Sequence, residues 1–65
     1  MFFENVRRLC KESRITFAEL ERTLGLGNGI IARWADAKRG PSIYAAKKVA
    51  DYFGVTVDWL LEHKA

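Results

Sequence analysis

The stretch Thr16 to Trp34, TFAELERTLGLGNGIIARW, decides the fold of this chain. Thr16 and Glu19 have the spacing of a capping box, in which the two side chains satisfy backbone N–H groups at the start of a helix. A helix is therefore predicted to begin at Phe17. Gly25 directly follows the apolar pattern of this helix and favours the left-handed conformation that ends one.

A second helix is predicted to start near Gly27 after a turn of about three residues, because Ile31 and Trp34 are apolar and three residues apart. Two helices joined by a tight turn with glycine form a helix-turn-helix, which places its second helix in the major groove of DNA. The dipeptide Asn28-Gly29 is also typical of a β-hairpin. Its flanks lack the alternation of strands, so the hairpin is the less favoured reading.

The remaining segments also predict helices. The first spans Phe2 to Glu12, and Ser42 and Thr56 are N-caps of two more, the former closed by Gly54. The buried stripe of the helix after Ser42 is expected to contain Ile43, Ala46, Val49, Ala50 and Phe53. Five short helices predict an all-α, compact orthogonal bundle that forms one domain over residues 1–65.

Composition narrows the function. The formal net charge of +3 is consistent with a polyanionic partner. The single Cys10 and single His63 provide neither a disulfide framework nor a metal site, and no nucleophile and base pair suggests an enzyme. No apolar run approaches the length of a membrane span and no signal peptide is visible, so we expect a cytoplasmic protein. We also expect no cofactor and no small-molecule ligand.

The helix-turn-helix, the following Pro41-Ser42 and the segment KKVADYFGVTVDWLL resemble the lambda-repressor and Cro-like family of the Xre type, from about Val6 to Leu61. The resemblance implies the five-helix lambda-repressor-like fold and a DNA-binding regulator of transcription, expected to be a repressor of phage or mobile-element type. It also implies a homodimer on a two-fold related operator. Relatives often carry a further C-terminal domain, so the chain could be the N-terminal domain of a longer repressor.

In a helix that starts near Gly27, inward-facing apolar residues leave an outer face of Asn28, Gly29, Ile30 and Arg33. The Asn28 carboxamide could pair with adenine or could cap the helix. Gly29 could offer a free N–H to a phosphate or add flexibility. Ile30, expected to be exposed, could cover a thymine methyl or belong to the core, and Arg33 could bind guanine or phosphate or pair with Asp36.

Contacts to the DNA backbone are expected from helix starts and from the basic loop, at Thr16, Lys38, Arg39, Ser42 and Tyr44. Capping is a compatible role for Thr16 and Ser42, and surface packing is the alternative for Tyr44. Relatives often have a DNA-contacting glutamine where this chain has Phe17, so that contact is carried over by position only. Glu21 stands where many relatives have alanine.

A second class of function stays open at this point. The same bundle could be a protein-interaction module, such as an antitoxin that also regulates its own promoter. For the dimer, Phe2, Phe3, Trp59 and Leu61 could supply an interface, although aromatic residues at such positions are more often part of the core.

Overall fold

The structure is a computed structural model that describes residues 2–36 and 40–62. These ranges contain five helices and no strand, which confirms the all-α prediction. The helices are α1 (Phe2–Glu12), α2 (Phe17–Leu24), α3 (Ile30–Arg33), α4 (Ile43–Phe53) and α5 (Val57–Glu62).

The predicted N-caps are confirmed. The Thr16 hydroxyl accepts the Glu19 N–H at 3.1 Å, and the Glu19 carboxylate accepts the Thr16 N–H at 3.0 Å, which completes the capping box. The Ser42 hydroxyl accepts the Ala45 N–H at 3.1 Å at the start of α4. These bonds satisfy N–H groups that have no partner inside their own helices, and a cap of this kind stabilises a domain by about 1 kcal/mol.

Helix α2 ends in a Schellman motif. Gly25 has a φ of 69°, the Leu26 N–H donates to the Glu21 carbonyl at 2.7 Å, and the Gly25 N–H donates to the Arg22 carbonyl at 3.3 Å. The same two-bond pattern ends α4 at the predicted Gly54 and ends α1 at Arg14, which has a φ of 58°. An apolar residue follows each motif and packs against the core, so each helix end also fixes the direction of the chain.

The core lies between the helices, where α1 packs against α2 and α5, α2 against α3, and α4 against α5. Its largest fully buried apolar side chains are Leu20, Ile31, Leu60, Val6 and Val49. The rings of Phe2 and Trp34 meet edge to face, with centroids 5.4 Å apart. This contact ties α1 to the end of the helix-turn-helix.

Two residues differ clearly from the sequence prediction for the core, and Phe53, expected in the buried stripe of α4, is half-buried against it. Ile43 was expected in the buried stripe of α4, but its side chain is 75% exposed. It lies in the first turn at the edge of the stripe, where Ala45 and Ala46 make the contact with the core. Asn5 was not expected to be buried, yet it is fully buried and its Nδ2 donates to the Leu60 carbonyl at 2.7 Å. This bond joins α1 to α5.

The two isoleucines provide a matched test of this core. We expect Ile31→Val to lower the free energy of unfolding by about 0.5–1.5 kcal/mol, because it removes a fully buried methyl group. The identical change at Ile43 removes a methyl group that is already in water and should have almost no effect. Urea denaturation measures both. Equal losses for the two variants would contradict the burial described here.

Cys10 provides a test of burial through pH. Burial raises the pKa of the Cys10 thiol from 9.0 to about 11. The folded state therefore holds the proton more tightly than the unfolded state, and the associated stability is complete below pH 9.0 and is lost as pH rises through about 11. We expect the difference in unfolding free energy between the wild type and Cys10→Ala to shrink over this range. A difference that is independent of pH would contradict the prediction.

Candidate nucleic-acid interface

The second helix of the helix-turn-helix begins later than the sequence predicted. Helix α3 starts at Ile30 and not near Gly27, so the connection from α2 covers Gly25 to Gly29 and is five residues long. Gly29 is the N-cap and has a φ of 75°, a left-handed conformation in which the chain cannot continue a right-handed helix. The Ile30 N–H donates to the Gly27 carbonyl at 3.3 Å and closes a turn just before α3.

The side chain of Glu21 binds the start of α3. Its Oε1 accepts the Gly29 N–H at 3.1 Å, and its Oε2 accepts the Ile31 N–H at 3.0 Å. Glu21 is only 4% exposed although it carries a carboxylate. The expectation that the Gly29 N–H is free to bind a phosphate is therefore wrong, because a carboxylate of the protein already occupies it.

The position of Glu21 was a departure from relatives in the sequence, and its role was missed. The available signal was its spacing. Glu21 lies one residue after the buried Leu20 and begins the last turn of α2, so its side chain could reach the next helix.

The outer face of the helix-turn-helix carries the candidate base-reading residues. Asn28 and Arg33 are exposed, while Ile31 and Trp34 are buried as predicted. Asn28 is not the cap of α3, because the N-cap is Gly29 and the cap bonds go to Glu21. Ile30 is half-buried and packs against the core, so the expectation of an exposed residue is met only in part.

An open groove of about 430 Å³ runs between α3 and the start of α4. Ile30, Arg33 and Ser42 line it, so the structure brings these three candidates together. Tyr44 lies in the first turn of α4 and is 79% exposed. Lys38 and Arg39 lie outside the described residues.

The remaining two candidates lie at the start of α2. Thr16 is exposed and forms the capping box. Phe17 is half-buried, and its ring meets that of Phe3 edge to face with centroids 5.7 Å apart. The structure therefore places the Phe17 ring in the contact between α1 and α2.

One basic residue of α1 and one of α4 bind other groups of the protein. Arg8 pairs with Glu12 at 3.2 Å on the exposed face of α1. The Lys48 ammonium donates to the Leu24 carbonyl at 3.2 Å, which satisfies one of the last carbonyls of α2 and adds a positive charge at that helix end. Lys48 thus joins α4 to the helix-turn-helix.

The helix-turn-helix family model, of the Cro/C1 type, matches residues 6–60. The chain belongs to this family. This identifies it as a DNA-binding regulator of transcription, since the family is one of regulators and not of enzymes. No match was found among curated proteins or among solved structures.

Over residues 2–36 and 40–62, no three histidine, cysteine or acidic side chains cluster as metal ligands would. Within the same ranges, every helix is too short or too polar to cross a bilayer.

Two glycines test the geometry of the turn. A Cβ at Gly29 or at Gly27 would meet no atom within 4 Å, but only Gly29 has a left-handed φ, of 75°. We expect Gly29→Ala to lower the free energy of unfolding by about 1–2 kcal/mol from backbone strain. Gly27→Ala should be neutral or slightly stabilising. Thermal unfolding of both variants measures the difference, and equal effects would contradict the conformation of Gly29.

Proposed function

We propose that this regulator is a sequence-specific repressor that reads the major groove of double-stranded DNA with α3 and the turn before it. The proposal rests on Asn28, which is exposed and lies in the turn before α3. Glu21 accepts hydrogen bonds from the nearby N–H groups of Gly29 and Ile31. Its carboxamide is not needed as a cap, so it is available to a base edge. Occupation of a promoter by such a domain blocks polymerase sterically.

Three residues of the outer face, Asn28, Ile30 and Arg33, have a chemical role in this proposal. The Asn28 carboxamide pairs with the N6 and N7 atoms of adenine. Ile30 offers the exposed part of its side chain to a thymine methyl group. Arg33, which lies on the groove beside α4, binds a guanine edge or a phosphate.

Contacts to the DNA backbone come from the flanking elements in this proposal. Thr16 and Ser42 lie at the starts of α2 and α4, and Tyr44 extends an exposed phenol from the first turn of α4. Lys38 and Arg39 add positive charge between α3 and α4. Contacts of this kind fix the register of the protein on the duplex and carry no sequence information.

A homodimer completes the proposal, because one short recognition helix reads only a half-site. Of the residues considered for its interface, Phe2 is buried and Phe3 and Trp59 are half-buried. Leu61 is 50% exposed on α5 and Tyr52 is 44% exposed on α4, the helix that packs against α5. These two apolar surfaces are available to a second copy.

In vitro selection from a randomised duplex library tests the proposal. The wild type should enrich a consensus with two-fold related half-sites, and it should bind that duplex more tightly than a scrambled duplex at every salt concentration. Equal and weak binding to both duplexes would contradict sequence-specific regulation. A neighbouring toxin gene whose product binds the protein tightly would favour the antitoxin alternative.

Two variants separate base reading from phosphate binding. Asn28→Ala should cost about 1–3 kcal/mol on the selected duplex and almost nothing on the scrambled one. Arg39→Ala should weaken binding to both duplexes and lower the slope of log affinity against log salt by about 1. Fluorescence anisotropy across a salt series measures both. Equal losses on the two duplexes for Asn28→Ala would show that it does not read a base.

A further inference from the structure

We propose that Glu21 is a positioning residue for base recognition, which holds the turn before α3 in the conformation that reads DNA. The inference rests on the proposed function, because it explains how one carboxylate fixes the conformation of the proposed DNA-reading surface. The role is distinct from a contact to DNA, because Glu21 is 4% exposed and faces the protein's own amides.

Glu21 holds the turn through both its main chain and its side chain. Its carbonyl accepts the Leu26 N–H at 2.7 Å. Its two carboxylate oxygens accept the N–H groups of Gly29 and Ile31 at 3.1 and 3.0 Å. The segment from Leu26 to Ile31 is therefore attached to one residue at three points.

The proposed base-reading residues lie between these points of attachment. Asn28 directly precedes Gly29, and Ile30 lies between Gly29 and Ile31, so the backbone on one or both sides of each is fixed by Glu21. A helix of four residues is too short to hold its own first turn by internal hydrogen bonds. The orientation of these two side chains thus depends on the carboxylate.

The two bonds differ in their surroundings, which makes a selective variant available. The bond to the Ile31 N–H is buried, whereas the bond to the Gly29 N–H is only part-buried. Glutamine has one acceptor oxygen where glutamate has two. In Glu21→Gln we expect that oxygen to stay on the buried Ile31 N–H, because an unsatisfied buried donor is costly. Gly29 would then face an amide NH₂ group and turn to solvent.

The experiment uses Glu21→Gln, Glu21→Ala and, as a control, Asp51→Asn. Asp51 is an exposed carboxylate on α4, so the control makes the same change in net charge away from the turn. Affinities are measured by anisotropy on the duplex selected by the wild type and on its scrambled version. Amide hydrogen exchange by NMR is followed at Gly29 and Ile31, and urea denaturation gives the stability of each variant.

Glu21→Gln should bind the selected duplex about tenfold more weakly than Asp51→Asn does, the loss expected for a hydrogen bond to a charged group, with unchanged affinity for the scrambled duplex. Exchange should accelerate at Gly29 and stay slow at Ile31. Glu21→Ala, which removes both bonds, should lose more discrimination. If this variant fails to fold, the glutamine variant still decides the question, because it keeps the bond to the buried amide.

Two results overturn the proposal in distinguishable ways. If Glu21→Gln discriminates between the duplexes as well as Asp51→Asn does, while its free energy of unfolding falls, then Glu21 stabilises the fold and positions nothing for DNA. If the wild type enriches no consensus, the proposed function itself fails before any variant is compared, and this inference fails with it.

Discussion

The arrangement of the helix-turn-helix depends on the two hydrogen bonds that the buried Glu21 carboxylate accepts from Gly29 and Ile31. A helix as short as α3 is not stable on its own, because the free-energy cost of helix nucleation exceeds what four helical residues gain from hydrogen bonding. It is stable here because Ile31 and Trp34 are buried and because an anion lies at the positive end of the helix. The burial of that anion is tolerated since both of its oxygens are satisfied by N–H donors.

Local sequence signals predicted four of the five helices well, and the reason is physical. A capping hydroxyl and a glycine in left-handed conformation act within a few residues, so Thr16, Ser42, Gly25 and Gly54 marked real helix ends. The start of α3 was misplaced because its N-cap, Gly29, has no side chain to form the capping bond that marked the other helix starts. Its first turn is satisfied by a side chain eight and ten residues away, and such a contact is invisible to apolar periodicity.

The core also contains some residues that local sequence predicts correctly and others whose burial depends on distant contacts. Periodicity placed Ile31 and Trp34 in the core correctly, because a buried face of a helix repeats every three or four residues. It failed at Ile43, which lies in the first turn of α4 and is exposed, and at Asn5, where burial depends on the Leu60 carbonyl 55 residues along the chain. Polar residues are buried when a distant partner satisfies them, and that partner can only be seen in the folded structure.

The position of Glu21 bears on how so small a surface would gain specificity. A short recognition helix offers few base contacts, each worth about 1–3 kcal/mol. Every flexible segment that must be ordered on binding reduces the net free energy of binding. A turn already attached to Glu21 at three amides is ordered before DNA arrives. Because the carboxylate is buried, the order is obtained without presenting a negative charge directly to the phosphates. The turn then loses its conformational entropy during folding and not on binding, and the burial of Leu20 beside Glu21 helps to offset this loss.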